Sequence, residues 1–173
     1  MRDGGRLPRL AAGLLLWPLA ACSTLGGLAG GGEGEVVHVT EIRSEVRCNS
    51  DGPQPRLTLL ADEAALRAWQ QARKVDLIGV DSLPSPGPYA LVEMGVRLSA
   101  GYGIVVSRQA EVRSDVLRLS ASLLTPQAGQ AAAQVVSSPC TLVALPPRAY
   151  RAAELFDPSG DLLARARAST PLQ

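Results

Sequence analysis

Hydrophobic and polar positions alternate with period two through much of this chain. From Val36 to Arg47, Val37 and Val39 fall on one face with Glu41, Arg43, Glu45 and Arg47, while His38, Thr40, Ile42, Ser44 and Val46 share the other. That period predicts a strand. Asn49-Ser50-Asp51-Gly52-Pro53 is a dense turn signal, and Arg56–Leu60 reads as a short second strand. The period then changes. Asp62 is placed to cap a helix running to Arg73, with Glu63 in its first turn. Leu66, Trp69 and the Arg73 stem share one side of that helix, with Trp69 its expected core anchor. Pro84, Ser85, Pro86, Gly87 and Pro88 break the chain, and further strands follow at Tyr89–Arg97, Gly103–Arg113, Val116–Leu124, Gln134–Ser138 and Thr141–Leu145. In Val116–Leu124, Leu117, Leu119, Ala121 and Leu123 mark a buried face and Arg118, Ser120 and Ser122 an exposed one. A last hairpin is predicted from Leu155-Phe156, the turn Asp157–Asp161, and Leu162-Leu163. Short strands spaced by about ten residues predict a mainly β fold, an antiparallel sandwich or barrel with one short helix at 62–73.

One apolar run does not fit that pattern. Arg2, Arg6 and Arg9 precede about a dozen apolar residues ending in Leu19-Ala20-Ala21-Cys22. The run is too short to cross a bilayer but suits the hydrophobic region of a secretion signal. An incidental Cys after an ordinary signal, or a buried core helix, is the plainer alternative. The order of charge, apolar run and Cys resembles the bacterial lipoprotein signal, whose lipobox is an aliphatic residue, two small residues and a Cys. That resemblance implies cleavage before Cys22, lipid on its thiol and acylation of the new N-terminus. Ser23 in the next position implies sorting to the outer membrane, and the domain is expected on its periplasmic face. The organisation expected is a signal peptide over 1–21, a lipidated Cys22 with a Gly-rich tether over 22–35, and a single β-rich domain over 36–173. Thirteen such tether residues would span roughly 20 Å as a coil.

Composition narrows the chemistry. The 173 residues are 46% hydrophobic and 3% aromatic, with a formal net charge of +1. Losing Arg2, Arg6, Arg9 and Asp3 with the leader changes that charge to −1. A balanced surface with six rings argues against a nucleic-acid partner. One His, His38, excludes a multi-His metal site, and the three Cys cannot make a four-thiolate zinc site. With Cys22 carrying lipid, Cys48 and Cys140 remain as a pair in an oxidising compartment, where a disulfide is expected. Two separate buried thiols are the alternative. A hydrolase triad would have to use His38, in an alternating strand and with no nucleophile elbow. Neither catalysis nor a cofactor is expected. Gly26–Gly34 lacks the Lys-Ser/Thr ending of a phosphate loop.

The segment from Tyr89 to Pro146 carries a further likeness. Its Leu91–Ile104 stretch, followed by Thr125-Pro126-Gln127-Ala128-Gly129, Gln134, Ser138-Pro139-Cys140 and Leu145-Pro146, resembles the PrcB C-terminal domain family. Domains of that family carry a Gly-x-Arg-Pro-Thr-Gly-Gly-Tyr block between two strands; here Leu98, Ser99 and Ala100 replace its Pro, Thr and Gly. The family is named for a component of a membrane-associated protease complex and is thought to support that complex's stability. The resemblance implies a non-catalytic domain that binds an envelope protein, a protease among the candidates, through a loop of Arg97, Ser99, Gly101, Tyr102 and Gly103. The same loop faintly resembles that of chagasin-like peptidase inhibitors, so inhibition through Ser99–Gly103 is the alternative, and a small-molecule or glycan binder stays open. Gly101 and Gly103 permit Tyr102 to stand at a loop tip. A plain strand connection with the ring packed on the sheet is the other arrangement.

Overall fold

The structure is a computed structural model that describes residues 34–79, 83–127, 129 and 131–168. The signal, Cys22 and the Gly-rich stretch up to Glu33 lie outside the described residues. Among the described residues ten strands and one helix follow in the order β1 (Glu35–His38), β2 (Thr40–Glu45), β3 (Arg56–Leu60), α1 (Glu63–Arg73), β4 (Tyr89–Glu93), β5 (Gly103–Val106), β6 (Gln109–Arg113), β7 (Val116–Leu124), β8 (Cys140–Ala144), β9 (Ala152–Phe156) and β10 (Leu162–Arg167). They form a sandwich of two sheets. The larger runs β1-β6-β7-β9-β10, with β5 also on β7; the smaller runs β2-β8-β4-β3. All pairings are antiparallel except β7–β9, where Leu117 faces Ala153 and Leu119 faces Leu155 in parallel register.

Two strands expected to be continuous are each divided. The Val36–Arg47 strand breaks at buried Val39, whose N–H donates to Arg108 O (2.9 Å), so β1 stays in the larger sheet while β2 crosses to the smaller. The Gly103–Arg113 strand breaks at Ser107-Arg108. Val106 faces Ala121 and Glu111 faces Arg118, so the four residues between on one side, 107–110, lie against two on the other, 119–120, and the surplus bends the strand. Two other expectations are corrected. The Tyr89–Arg97 strand stops at Glu93, and Gln134–Ser138 contributes only isolated bridges, Arg97 to Ser137 and Arg47 to Ser138. The terminal hairpin is present. Asp157 holds its turn by accepting from the N–H groups of Ser159 and Asp161 (2.9 Å each), and Ser159 Oγ donates to the same carboxylate, which keeps it below the usual carboxylate pKa.

The inner faces make the main core, including Leu117, Leu119 and Ala121 of β7, Ala90 and Val92 of β4, and Val143 of β8. β4 is buried along its whole length because its other face is covered too. There Tyr89, Leu91 and Leu142 meet Leu66 of α1 and Leu77 and Ile78 of the following loop. Asp62 caps α1 by accepting from Ala65 N (2.8 Å), and Lys74 ends it at φ 54°. Leu66 is the deep contact. Trp69, the expected anchor, is only partly buried at the margin of this second core. The less apolar Gln70 is buried instead, its Oε1 accepting from Leu77 N and Ile78 N (2.9 Å each) and fixing the loop over the sheet.

The outer face of the larger sheet is polar for a definite reason. Glu111, Arg118, Glu154 and Arg165 stand opposite one another across β6, β7, β9 and β10. Arg118 lies 3.8 Å from Glu111 and 3.9 Å from Glu154, and Arg165 lies 3.1 Å from Glu154. Alternating charge across neighbouring strands is favourable and keeps this face in water.

Candidate functional site

Between β4 and β5 the chain leaves the smaller sheet and crosses to the larger, and the fold fixes this crossing from three sides. Gly95 makes the first turn at φ 85°, where a Cβ would lie 2.6 Å from the carbonyl carbon of Pro53. Arg97 then ties the loop inward. Its Nη1 donates to Pro53 O (2.8 Å) and Val96 O (3.1 Å), and its Nη2 to Met94 O (2.8 Å). Its main chain exchanges two bonds with Ser137, N to O at 2.8 Å and O to N at 2.9 Å. Ser137 Oγ donates to Ser99 O (2.9 Å), Ala100 N donates to Ala133 O (2.9 Å), and Gly101 lies against Pro126.

The support beneath the loop is a charged clamp. Asn49 Nδ2 donates to Arg73 O (2.8 Å) while Arg73 Nη1 donates to Asn49 O (2.9 Å), locking the 49–53 turn to the end of α1. Arg73 also pairs with Asp51 at 2.7 Å. Glu93, 1% exposed, accepts from Ser50 Oγ (2.9 Å) and lies 3.9 Å from Arg73; its Oε2 has no partner among the described residues. From this clamped turn Gly52 O accepts from Val96 N (2.8 Å), and Pro53 O receives Arg97. The Cys48–Cys140 disulfide joins the start of the same turn to the start of β8. Both sulfurs are buried, and Cys48 N donates to Ser138 O (2.9 Å).

The five loop residues singled out from sequence are therefore neighbours with unequal parts. The Arg97 guanidinium is engaged by main-chain carbonyls and lies over the Tyr102 ring, 5.7 Å from its centroid. Tyr102 is half-buried and packs against the main core, the second of the two arrangements considered for it. Ser99 contributes a carbonyl to the tie, Gly103 opens β5 opposite Leu124, and Gly101 is exposed beside Pro126. What projects is a set of side chains that sequence reasoning missed. Leu98 is 77% exposed, Val136 63% and Val46 59%. The Arg97–Ser137 and Arg47–Ser138 bridges bring their three backbone segments side by side. A usable signal was there: Val135-Val136 is an apolar pair in a stretch with too few alternating positions for a strand.

Beside this loop runs a groove of about 380 Å³ lined by Ala100, Gly101, Thr125, Pro126, Ala132 and Ala133. A second groove of about 440 Å³ lies on the charged face near Arg118, Ser120 and Phe156. No group of three or more His, Cys, Asp or Glu suited to a metal ion occurs among the described residues. His38 is exposed on β1. Residues 89–146 match the family model described as PrcB C-terminal. The chain carries a PrcB C-terminal-like domain. The matched span supplies β4 and β8 of the smaller sheet and β5, β6 and β7 of the larger, so the PrcB C-terminal-like segment contains the tied loop and the strands that flank it, β4 and β5. No curated protein and no solved structure matches the chain. The family match is consistent with a protein-binding module.

Proposed function

We propose that this chain is an outer-membrane lipoprotein, anchored through Cys22 with its domain in the periplasm. Its PrcB C-terminal-like domain binds a protein without catalysis and stabilises an envelope protease or a comparable assembly. The observation that carries the binding reading is the exposure of Leu98, Val136 and Val46 on three adjoining segments, with the Leu98 loop held by the Arg97 and Ser137 bonds. Exposed aliphatic groups on adjoining segments, Leu98 level with Val136 across the Arg97–Ser137 bridge, are what an interface buries. A loop already held in place loses little entropy on docking. The broad outer face of the larger sheet offers the reverse, a compensated charge ladder. The anchor reading is supported by the three Arg, the apolar run and Leu19–Cys22.

A photo-crosslinking residue placed in turn at Leu98, Val136 and Arg165 in living cells tests the reading. The first two positions should capture one and the same envelope protein, and Arg165 should not. Leu98→Asp with Val136→Asp should lower capture at a third reporter, Val46, by at least about tenfold and reduce the abundance of that partner. Equal capture at all three positions, or none, would overturn the assignment. A captured peptidase whose activity falls on binding would turn stabilisation into inhibition.

A further inference from the structure

The N-terminal end of the larger sheet gathers arginines that are far apart in sequence. Glu35, at the start of β1, faces Val112, and Arg113 at the end of β6 faces Val116 at the start of β7. Val116 faces Ala152 at the start of β9, and Ala152 faces Arg167 at the end of β10. One end of the sheet, the end at which the chain comes in from the N-terminal segment, thus carries Arg113 and Arg167. Two more arginines join them from the β8–β9 connection. Arg148 reaches Glu35 at 2.6 Å and Asp115 at 3.9 Å. Arg151 N donates to Asp115 O (2.8 Å) and its Nη2 to Ser114 O (3.4 Å). Among the described residues Glu35 and Asp115 are the acids at this rim, with Glu111 one row in and paired to Arg113 at 2.8 Å. Arg151 and Arg167 are exposed and have no acidic partner among the described residues.

We infer that this arginine rim, centred on Arg151 and Arg167, docks on anionic lipid headgroups of the membrane that carries the anchor. The inference rests on the lipid anchor at Cys22. It follows from where the chain enters the fold: β1 begins at Glu35 on this rim, only thirteen residues after Cys22, so an anchor there attaches the domain by this end. Each Arg close to an anionic surface adds about fivefold to its affinity, an attraction that fades within a Debye length. A contact that weak would be negligible for a free protein. On a tether it becomes effectively intramolecular at about millimolar concentration and is populated. Docking by this rim directs the Leu98–Val136 surface by the orientation of a rigid body rather than leaving it to tumble on the tether.

The full chain, purified in detergent from an envelope fraction, is incorporated into phosphatidylcholine vesicles and into vesicles with about 30% phosphatidylglycerol. Flotation reads the anchor, and amide hydrogen exchange reads the rim. Flotation with both vesicles is expected, with exchange at residues 113–115, 148–151 and 165–168 slowed about tenfold only on the anionic ones and restored by about 0.5 M salt. Arg151→Glu with Arg167→Glu should abolish the slowing without changing flotation, and Arg151→Gln with Arg167→Gln should weaken it. An unchanged urea midpoint in either variant shows that the domain is folded. Flotation with both and no headgroup-dependent slowing overturns the docking and leaves the anchor. Flotation with anionic vesicles alone overturns the anchor and leaves the arginine contact. Flotation with neither overturns both.

Discussion

Two glycines with nearly the same backbone angle separate the cost of a positive φ from the cost of crowding. Gly95 sits at φ 85° against the Pro53 carbonyl, and Gly160 at φ 93° with nothing within 4 Å of its would-be Cβ. Gly160→Ala should cost about 1–2 kcal/mol, the penalty of the left-handed region alone. Gly95→Ala adds a main-chain clash that cannot be relieved by a rotamer change, and should cost at least about 3 kcal/mol. Urea unfolding of the two variants measures this, and equal losses would remove the packing account of the site loop. Tyr150 gives a pH-dependent counterpart. Burial pushes its phenol up to about 12, against a lowering by nearby Arg148, and the hydroxyl donates to Pro146 O at 3.1 Å. Unfolded, the same phenol ionises near pH 10. Between those values the unfolded state has lost a proton that the folded state keeps, so stability falls as pH rises. Tyr89, also raised by burial and by Glu63 and Asp62, acts in the same direction. Thermal unfolding from pH 8 to 12 should show a decline that is shallower in Tyr150→Phe by about 2 kcal/mol over the window. A variant curve parallel to the parent's would sink this assignment.

At the scale of elements, what could be read from sequence was whatever a single local rule decides. β7 alternates cleanly because one face is core and the other a charge ladder, and α1 announces itself by Asp62 and helical spacing. The breaks at Val39 and Ser107-Arg108 were hidden for a physical reason. At Val39 the chain changes sheets, with Val37 and Val39 on the main core and Ile42 of β2 against the second, and at Ser107-Arg108 β5 and β6 stay in the larger sheet around a bulge, so polar and apolar residues go on mixing through both breaks. The 134–138 segment misled in the opposite way: it begins in a tight turn, Val135 N to Ala133 O (2.9 Å), and its Ser137 and Ser138 bridge to two different partners, Arg97 and Arg47, rather than along one strand. Parallel β7–β9 pairing leaves no mark on alternation either. The site was half legible. Glycine and tyrosine flag the loop because their conformational roles are local, whereas the exposure of Leu98 depends on Arg97 folding back to Pro53 and Met94 across the fold. Gln70 and Glu93 were missed because burial of a polar side chain is settled by its distant hydrogen-bond partners.

For the whole molecule the governing fact is that its sheets are assembled from distant segments. β1 pairs β6, β2 pairs β8 and β7 pairs β9 across long loops, and only local hairpins such as β6–β7 and β9–β10 form without closing one. The longest of these closures, β2 to β8, ends where Glu45 faces Cys140, and the Cys48–Cys140 disulfide lies just beyond, spanning a separation of 92 residues. In the oxidised chain that loop is closed before folding begins. A closed loop of this length removes chain entropy worth about 4–5 kcal/mol from the unfolded state, with strain and residual structure able to reduce it. Cys48→Ala with Cys140→Ala should therefore lower stability by about 3–5 kcal/mol. The partition of that loss between rates tells where β2–β8 pairing falls in folding. β8 is central to the smaller sheet, bonded to both β2 and β4, and its register aligns the inner face against β7. Pairing that must precede the sandwich belongs in the transition state, so the double variant should refold more slowly by at least about tenfold while its unfolding rate changes little. Stopped-flow refolding and unfolding in urea measure both limbs. A loss carried wholly by faster unfolding would mean that the larger sheet forms first and β2 docks onto β8 afterwards.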